Sequence, residues 1–235
     1  MLTGAILLAA GRSARFRKRR PKQLLPLGTE PLFMKSLRVF AGLPTVREIA
    51  LVVPPGRESA YKKALRFLPE RGRAKTQIVA GGAFRGASVR NGLRVLSDKA
   101  GVVLVHDAAR ALVTPDVVKR VEREAARTGA AVAAWPVADT MKLSGPSRAV
   151  KKTVSRKDVW LAQTPQGFGR DVIVRAYIER PAGESFTDDA SLIERAGGSV
   201  EVVESSHINF KITTPEDLEH ANAVLAAIRG GRLHF

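Results

Sequence analysis

The sequence predicts an α/β fold, and three observations lead to that prediction. Short apolar runs alternate along the chain with segments of helical periodicity. Two Thr-Pro pairs stand where helices would begin, and a polar, basic segment interrupts the alternation beyond the middle of the chain. Repeated strand–helix–strand order gives a mostly parallel sheet with helices on both faces. We therefore expect a Rossmann-like three-layer sandwich with a mostly parallel central sheet and a protruding β-arm.

The expected strands are runs rich in Val, Ile, Leu and Ala, a composition typical of buried parallel strands. They are Leu2–Leu8, Glu48–Val53, Gln77–Ala80, Val102–His106 and Ala130–Pro136. The first run has no basic segment before it and leads directly into a charged loop. We therefore interpret it as a strand rather than as a signal peptide.

The expected helices lie between and after these strands. Apolar residues recur at helical spacing in Pro31–Leu43 and in Val89–Leu96. Thr114-Pro115-Asp116 and Thr214-Pro215-Glu216 each combine an N-cap residue with Pro at the first helical position. These two segments predict the starts of two further helices.

Residues 137–159 interrupt this alternation. The segment is polar and basic, with Gly145-Pro146 near its middle. Two β-like pieces around a turn would make a hairpin arm, and a surface loop is the alternative that the residues leave open. No linker-like composition divides the chain, so we expect residues 1–235 to form a single domain with 137–159 as a subregion.

Composition excludes several classes of protein. The formal net charge of +17 favours polyanionic partners, and seven of the basic residues fall between Arg12 and Lys22. No apolar run reaches the roughly 18 residues of a membrane span, so no membrane contact is expected. The absence of cysteine excludes disulfides and thiolate metal sites, and the four histidines show no metal-ligand spacing. Without a signal segment, the cytoplasm is the expected compartment.

The loop after the first strand has features of a phosphate-binding loop. Ala9, Ala10 and Gly11 are small enough for backbone N–H groups to approach a ligand, and Arg15 and Lys22 follow as positive charges. We expect both cations to be exposed loop residues. The loop matches neither a Walker motif nor a dinucleotide fingerprint. A glycine turn followed by a solvated basic stretch explains the same residues, and both interpretations stay open at this point.

A carboxylate follows the fourth expected strand, in the segment Val105-His106-Asp107-Ala108-Ala109-Arg110. Open α/β sheets bind ligands at the carboxyl ends of their strands. One Asp together with substrate phosphates is a usual arrangement for magnesium. An ion pair between Asp107 and Arg110, or a loop cap, is the alternative.

These motifs resemble those of a known family. Ala9-Ala10-Gly11 with Arg15 and Pro21-Lys22 resembles the signature of nucleotidyltransferases that activate sugars, with Ser13 at a position that is often Gly. The segment His106–Arg110 resembles the hallmark of the 2-C-methyl-D-erythritol 4-phosphate cytidylyltransferase family and of its ribitol-phosphate relatives. Further matches follow in family order up to residue 217, so the resemblance covers nearly the whole chain.

The resemblance implies how CTP would be bound. The triphosphate would lie on Ala9, Ala10 and Gly11, with Arg15 and Lys22 as catalytic cations. The cytosine base would be bound by Gly82, Ala83 and Ser88, although an acidic residue is frequent in the family where this chain has Ala83.

The resemblance also implies how the acceptor would be bound. The arm residues Thr140 and Arg156 would hold the acceptor phosphate across a homodimer interface, and Lys211 would contact both substrates as the third catalytic cation. The remaining residues implied on the acceptor side are Asp107, Arg110, Thr164 and Thr187. Plain structural roles, a turn at Thr164-Pro165 and a helix cap at Thr187, are the alternatives for the last two.

The implied reaction joins CMP from CTP to a polyol phosphate and releases pyrophosphate. A phosphate monoester has a second pKa of about 6 and is mostly dianionic at neutral pH, so the attack needs no general base. The chemical problem is repulsion between two polyanions, which the cations and a magnesium ion at Asp107 would offset. Asn209, two residues before Lys211, is a further candidate to face the metal.

Two alternatives remain at the level of the sequence. Ribitol 5-phosphate is the rival acceptor, and Ala108-Ala109 after Asp107 favours methylerythritol phosphate instead. A basic nucleic-acid-binding protein is the rival from another class, which the charge of +17 favours. The aromatic content of 6% and the lack of a nucleic-acid-binding motif oppose it, so we expect no nucleic-acid partner.

Overall fold

A computed structural model describes residues 1–11, 16, 21–179 and 186–232 of the chain. The strands are β1 Thr3–Leu8, β2 Pro26–Leu27, β3 Glu30–Pro31, β4 Val46–Val53, β5 Thr76–Ala80, β6 Val102–Asp107, β7 Ala130–Pro136, β8 Met141–Ser144, β9 Val150–Val154, β10 Trp160–Gly169 and β11 Glu201–Glu204. The helices are α1 Leu32–Gly42, α2 Glu58–Ala64, α3 Glu70–Ala74, α4 Arg85–Leu93, α5 Pro115–Thr128, α6 Arg170–Glu179, α7 Asp189–Arg195 and α8 Pro215–Arg229, with short 3-10 helices at Lys22–Leu24 and Leu65–Phe67.

Seven strands form the central sheet, in the order β11-β7-β10-β6-β1-β4-β5. β1 runs parallel to β4 and β6, β4 runs parallel to β5, and β7 runs parallel to β11. β10 lies antiparallel between β6 and β7. The mostly parallel sheet predicted from the sequence is therefore confirmed, with one antiparallel strand inside it.

Two hydrophobic cores cover the two faces of this sheet. Successive residues of a strand point to opposite faces, and in β1 Ala5 and Leu7 enter one core while Ile6 and Leu8 enter the other. The first core packs against α1 and α5, and the second packs against α4, α6 and α7. Full burial of each large aliphatic side chain contributes about 1.5–3 kcal/mol. The arrangement is the expected three-layer sandwich.

Both predicted Thr-Pro helix starts are present. The Thr114 side chain accepts a hydrogen bond from the backbone N–H of Val117 at the start of α5. At α8, Thr214 accepts from the N–H of Asp217 (3.2 Å), and the Asp217 carboxylate accepts from the N–H of Thr214 (2.9 Å). This reciprocal capping box fixes where the last helix begins.

The interrupting segment forms a hairpin, not an irregular loop. β8 and β9 pair antiparallel as a separate two-stranded sheet, and most of their residues are exposed. Large apolar side chains on the arm and on the adjoining start of β10 are also exposed, at Leu143, Val150, Trp160 and Leu161. The protruding β-arm predicted for residues 137–159 is confirmed as a local structure.

Three expectations about elements need correction. β5 is an edge strand with half-exposed residues and is not buried as expected, because only β4 pairs with it. β10 and β11 were not among the expected strands. Thr164-Pro165 is not a plain turn, because it lies inside β10 at an irregularity of the pairing with β7.

Over the described ranges, no helix combines the length and apolar character that crossing a membrane would need.

Candidate active site

A cleft of about 860 Å³ opens at the carboxyl ends of the central strands. Its wall is formed by the segments that follow β1, β4 and β5, by the end of β6 and by the residues just before α8. Among its lining residues are Ala10, Gly11, Lys22, Gly82, Ala83, Ser88, Asp107 and Lys211. Motifs from distant parts of the sequence therefore meet in one cavity, at the edge where α/β sheets bind ligands.

The loop between β5 and α4 is packed closely and is held in shape by its own hydrogen bonds. A Cβ atom on Gly81 would lie 2.5 Å from the Ala10 side chain, and one on Gly82 would lie 2.4 Å from that of Ala87. The N–H of Gly82 donates to the Ser88 hydroxyl (3.1 Å), which donates to the carbonyl of Phe84 (3.3 Å). The loop therefore offers a ligand a fixed backbone surface.

Lys22 lines the cleft, but it is not the exposed loop residue expected from the sequence. It is 8% exposed in a short 3-10 helix, and its ammonium donates to the carbonyl of Ile212 (2.7 Å). It also lies 5.9 Å from the ring of Phe16. The hydrogen bond to Ile212 holds the Lys22 ammonium against the segment that contains Lys211.

Two other predicted CTP residues lie away from the cleft wall or outside the described residues. Ala9 is 0% exposed in the hydrophobic core, and its N–H donates to the carbonyl of Val52 (2.7 Å). The structure thus places Ala9 beneath the loop, whereas Ala10 and Gly11 line the cavity. Arg15 lies outside the residues that the structure describes.

Asp107 forms the charged floor of the cleft. Its Oδ2 lies 2.6 Å from Nζ of Lys211, and its Oδ1 lies 3.7 Å from Nε of Arg85. Burial acts to raise the pKa of this carboxyl, but the charges of Lys211 and Arg85 outweigh burial and lower it to about 2. Within the described part of the chain, its ion-pair partners are these two cations and not Arg110.

No role was predicted for Arg85 from the sequence, although it lies within the loop expected to bind the base. Its Nη1 lies 2.7 Å from Oδ2 of Asp189, the first residue of α7. Burial acts to lower the pKa of this guanidinium, and the charges of Asp189 and Asp107 raise it above its usual value instead. The signal that could have found it is an arginine directly after small loop residues at the start of a helix.

His106 and Thr164 hold the backbone of Asp107. The Thr164 hydroxyl accepts the N–H of Asp107 (3.0 Å) and lies 3.0 Å from Nδ1 of His106. Nε2 of His106 lies 3.1 Å from the carbonyl of Arg110. A carbonyl can only accept, so Nε2 carries the proton and Nδ1 accepts from Thr164. Burial lowers the pKa of His106 to about 4, which keeps the ring neutral.

Arg110 and Asn209 face the protein around the cleft. Nη1 of Arg110 donates to the carbonyl of Asn209 (2.8 Å). Nδ2 of Asn209 donates to Oε1 of Gln163 (2.8 Å) and to the carbonyl of Thr164 (2.9 Å), and the residue is 2% exposed. Its Oδ1, the atom that would bind a metal, is buried and makes no hydrogen bond within the described residues, so the expectation that Asn209 faces a metal stays a prediction.

The remaining predicted acceptor residues do not line this cleft. Thr140 and Arg156 are exposed at the two ends of the arm hairpin. Thr187 is exposed ahead of α7, and the cap of that helix is Asp188, whose side chain accepts the N–H of Ser191 (2.9 Å). The helix-cap alternative for Thr187 is therefore wrong.

The chain does not form a metal-binding cage in its described part. No group of three or more His, Cys, Asp or Glu side chains is arranged for an ion there. Asp107 is a single carboxylate, and both of its oxygens face cations. Magnesium needs about six oxygen ligands, so the residues present do not fit a dedicated magnesium site. The magnesium expected at Asp107 stays a prediction.

Comparison with known proteins gives the context of this cleft. Residues 3–227 match the family model described as IspD: 2-C-methyl-D-erythritol 4-phosphate cytidylyltransferase. The chain belongs to that family. A protein of that name from Pelotomaculum thermopropionicum is 42% identical over 231 residues, covering 97% of this chain and 96% of the relative.

Solved structures of family members have the same architecture. A 4-diphosphocytidyl-2C-methyl-D-erythritol synthase from Anaerococcus prevotii superposes with a TM-score of 0.84 at 26% identity, over 96% of both chains. The 2-C-methyl-D-erythritol 4-phosphate cytidylyltransferase from Thermus thermophilus gives a TM-score of 0.79 at 34% identity, over 96% of this chain and all of the other. The family match spans every segment that lines the cleft.

Proposed function

We propose that the chain transfers CMP from CTP to 2-C-methyl-D-erythritol 4-phosphate, which gives 4-diphosphocytidyl-2-C-methyl-D-erythritol and pyrophosphate. The main support is the cleft itself: in a member of this family, a fixed backbone loop and the small residues after β1 share one cavity with Asp107 and Lys211. The cytosine base would lie on the Gly82–Ser88 loop, and the triphosphate on Ala10 and Gly11.

Catalysis by this cleft would be mainly electrostatic. Two unit charges of like sign at about 4 Å repel by about 4 kcal/mol at an effective dielectric constant of about 20. Lys22 and Lys211 are far apart in the sequence, but both line the cavity, and their positive charges would offset that repulsion. The bond from the acceptor oxygen to the α-phosphorus forms as the bond to pyrophosphate breaks, with Arg15 as the third proposed cation.

The acceptor phosphate would be held by a second copy of the chain. Thr140 and Arg156 are exposed on an arm that projects from the sheet and do not line their own cleft. The apolar side chains Leu143, Val150 and Leu161, which are 47%, 60% and 56% exposed, offer a surface for pairing. We therefore propose a homodimer in which each arm reaches the partner's cleft.

Magnesium would enter the site with CTP. Because Asp107 is engaged by Lys211 and Arg85, phosphate oxygens and water would have to supply most of the ion's ligands. When bound, the ion would neutralise phosphate charge. We expect calorimetry to detect no binding of magnesium to the protein alone below about 1 mM. Tight binding without nucleotide would contradict this assignment.

Pyrophosphate release tests the proposed reaction directly. The protein is incubated with CTP and either 2-C-methyl-D-erythritol 4-phosphate or ribitol 5-phosphate, and the nucleotide product is identified by mass. We expect turnover with the methylerythritol acceptor and at least ~100-fold lower kcat/KM with ribitol 5-phosphate. Turnover with ribitol 5-phosphate alone, or salt-sensitive RNA binding without any turnover, would overturn the proposal.

A further inference from the structure

Arg85 lies in the wall between the cleft and helix α7. It is the first residue of α4, directly after the loop Gly82–Phe84, and its side chain is 26% exposed. Its Nε lies 3.7 Å from Oδ1 of Asp107 and its Nη1 lies 2.7 Å from Oδ2 of Asp189. One guanidinium therefore joins the floor of the cleft to the start of a different helix.

Both carboxylates that Arg85 joins are held by other groups. Oδ1 of Asp189 accepts from the Tyr177 hydroxyl (2.6 Å), and the backbone N–H groups of Asp189 and Ala190 donate to Oε1 of Gln166 (3.0 and 3.1 Å). Asp107 is held through its backbone N–H by Thr164 (3.0 Å). Each carboxylate is therefore held to its own segment, and the Arg85 side chain contacts both of them.

The chemistry of the group suits this role. A planar guanidinium can bind two carboxylates in a set geometry, which a single ammonium cannot do. Asp189 is 1% exposed, so its negative charge depends on Arg85 for compensation. Removal of the guanidinium would leave a buried, uncompensated carboxylate at the start of α7, and that segment would have to rearrange.

We propose that Arg85 is a positioning residue that fixes the acceptor side of the site relative to Asp107. Thr187, which the family resemblance assigns to the acceptor, stands two residues before Asp189, so a displaced Asp189 displaces the chain that carries it. The inference rests on the proposed function, since that function gives the α7 segment its substrate. Arg85 lies within the loop proposed for the cytosine, but the CTP contacts proposed there are made by Gly82, Ala83 and Ser88 and not by the Arg85 side chain, so we expect CTP affinity to depend on Arg85 much less.

The test compares Arg85→Gln and Arg85→Lys with Arg94→Gln as the matched control. Arg94 is an exposed arginine at the far end of the same helix. CTP affinity is measured by calorimetry, and KM for 2-C-methyl-D-erythritol 4-phosphate and kcat by pyrophosphate release. We expect Arg85→Gln to raise the acceptor KM by about 10- to 100-fold and to change the CTP Kd by less than ~2-fold. Arg85→Lys should raise the acceptor KM less than Arg85→Gln does. The control Arg94→Gln should leave both the acceptor KM and the CTP Kd unchanged.

A double variant separates positioning from a general loss of structure. Asp189→Asn removes the carboxylate that Arg85→Gln leaves uncompensated, so the two changes together should raise the acceptor KM no more than Arg85→Gln does. Each variant is first checked for cooperative thermal unfolding. If Arg85→Gln fails to fold, Arg85→Lys takes its place in the test. A raised acceptor KM with an unchanged CTP Kd then supports the positioning role, and an equal change in both contradicts it.

The outcomes distinguish this inference from the proposed function. An unchanged acceptor KM in Arg85→Gln overturns the positioning role, provided that the wild-type protein turns over both substrates. An equal loss of CTP affinity overturns it as well, because Arg85 would then contact the nucleotide directly. Additive effects of the two single changes would show that the residues act independently. A wild-type protein without turnover contradicts the proposed function itself.

Discussion

At the scale of single residues, charge compensation around Asp107 organises the site. Lys211 and Arg85 keep the carboxylate ionised, with a pKa of about 2. The side chain of Lys211 is 42% exposed, so its ammonium stands at the boundary between this buried carboxylate and the open cavity. A phosphate in the cleft would therefore meet a cation that is already held in place.

Lys22→Ala should reduce both turnover and stability. The ammonium is buried and donates to the carbonyl of Ile212, and a hydrogen bond from a charged group contributes about 1.5–3 kcal/mol. We expect the free energy of unfolding in urea to fall by that amount and kcat to fall by about 100-fold or more. Lys119→Ala, at an exposed position of α5, is the control and should change neither. Normal turnover in Lys22→Ala would remove Lys22 from the mechanism.

His106 should make the stability of the protein depend on pH. Burial lowers its pKa to about 4, whereas an unfolded chain takes up that proton near pH 6.5. Its contribution is therefore complete above about pH 6.5 and is lost as pH falls toward 4. The loss between pH 7 and pH 5 should be about 2 kcal/mol. Proton NMR should show the His106 imidazole still neutral at pH 5. A titration of His106 near pH 6.5 would contradict the buried, neutral ring.

The sequence motifs predicted which residues lie together in the cleft, but not which contacts each residue makes. Ala10, Gly11, Asp107 and Lys211 were predicted and line the cleft. The burial of Lys22 could not be predicted, because its partner Ile212 is 190 residues away in sequence. The role of Gln166 at α7 was missed for the same reason, since a hydrogen bond between distant segments leaves no local pattern.

At the scale of elements, the parallel strands were predictable and the antiparallel strand was not. Buried parallel strands such as β6 are continuous apolar runs. β10 instead contains Gln163-Thr164-Pro165-Gln166, whose polar side chains bond to neighbouring segments and hide the strand pattern. β11 has only four residues, two of them Glu, which is too short for a clear periodicity.

The arm should make the active site a shared one. If each arm serves the partner's cleft, Arg156→Ala and Lys211→Ala subunits are each inactive alone, yet a mixed dimer contains one intact site. Mixing equal amounts after reversible dissociation should restore about a quarter of the wild-type turnover. No recovery, in a mixture that sedimentation shows to be dimeric, would contradict the shared site.

At the scale of the whole molecule, the net charge of +17 should act on the rate at which substrates arrive. Both proposed substrates are anions, and a cationic field raises their local concentration until salt screens it. We expect an increase from about 0.05 to about 0.5 M NaCl to lower kcat/KM several-fold and kcat by less than ~2-fold. A kcat/KM that is independent of salt would mean that the surplus charge serves no steering role.

The central claim is that the cleft at the carboxyl ends of the strands binds CTP for CMP transfer, and a crystal structure with CTP and magnesium tests it most directly. The account predicts triphosphate density against Ala10 and Gly11, and the cytosine on the Gly82–Ser88 loop. The α-phosphate should lie within reach of the Lys22 and Lys211 ammonium groups. Nucleotide bound elsewhere, such as in the basic pocket lined by Arg57, Lys63 and Arg66, with this cleft empty, would contradict it.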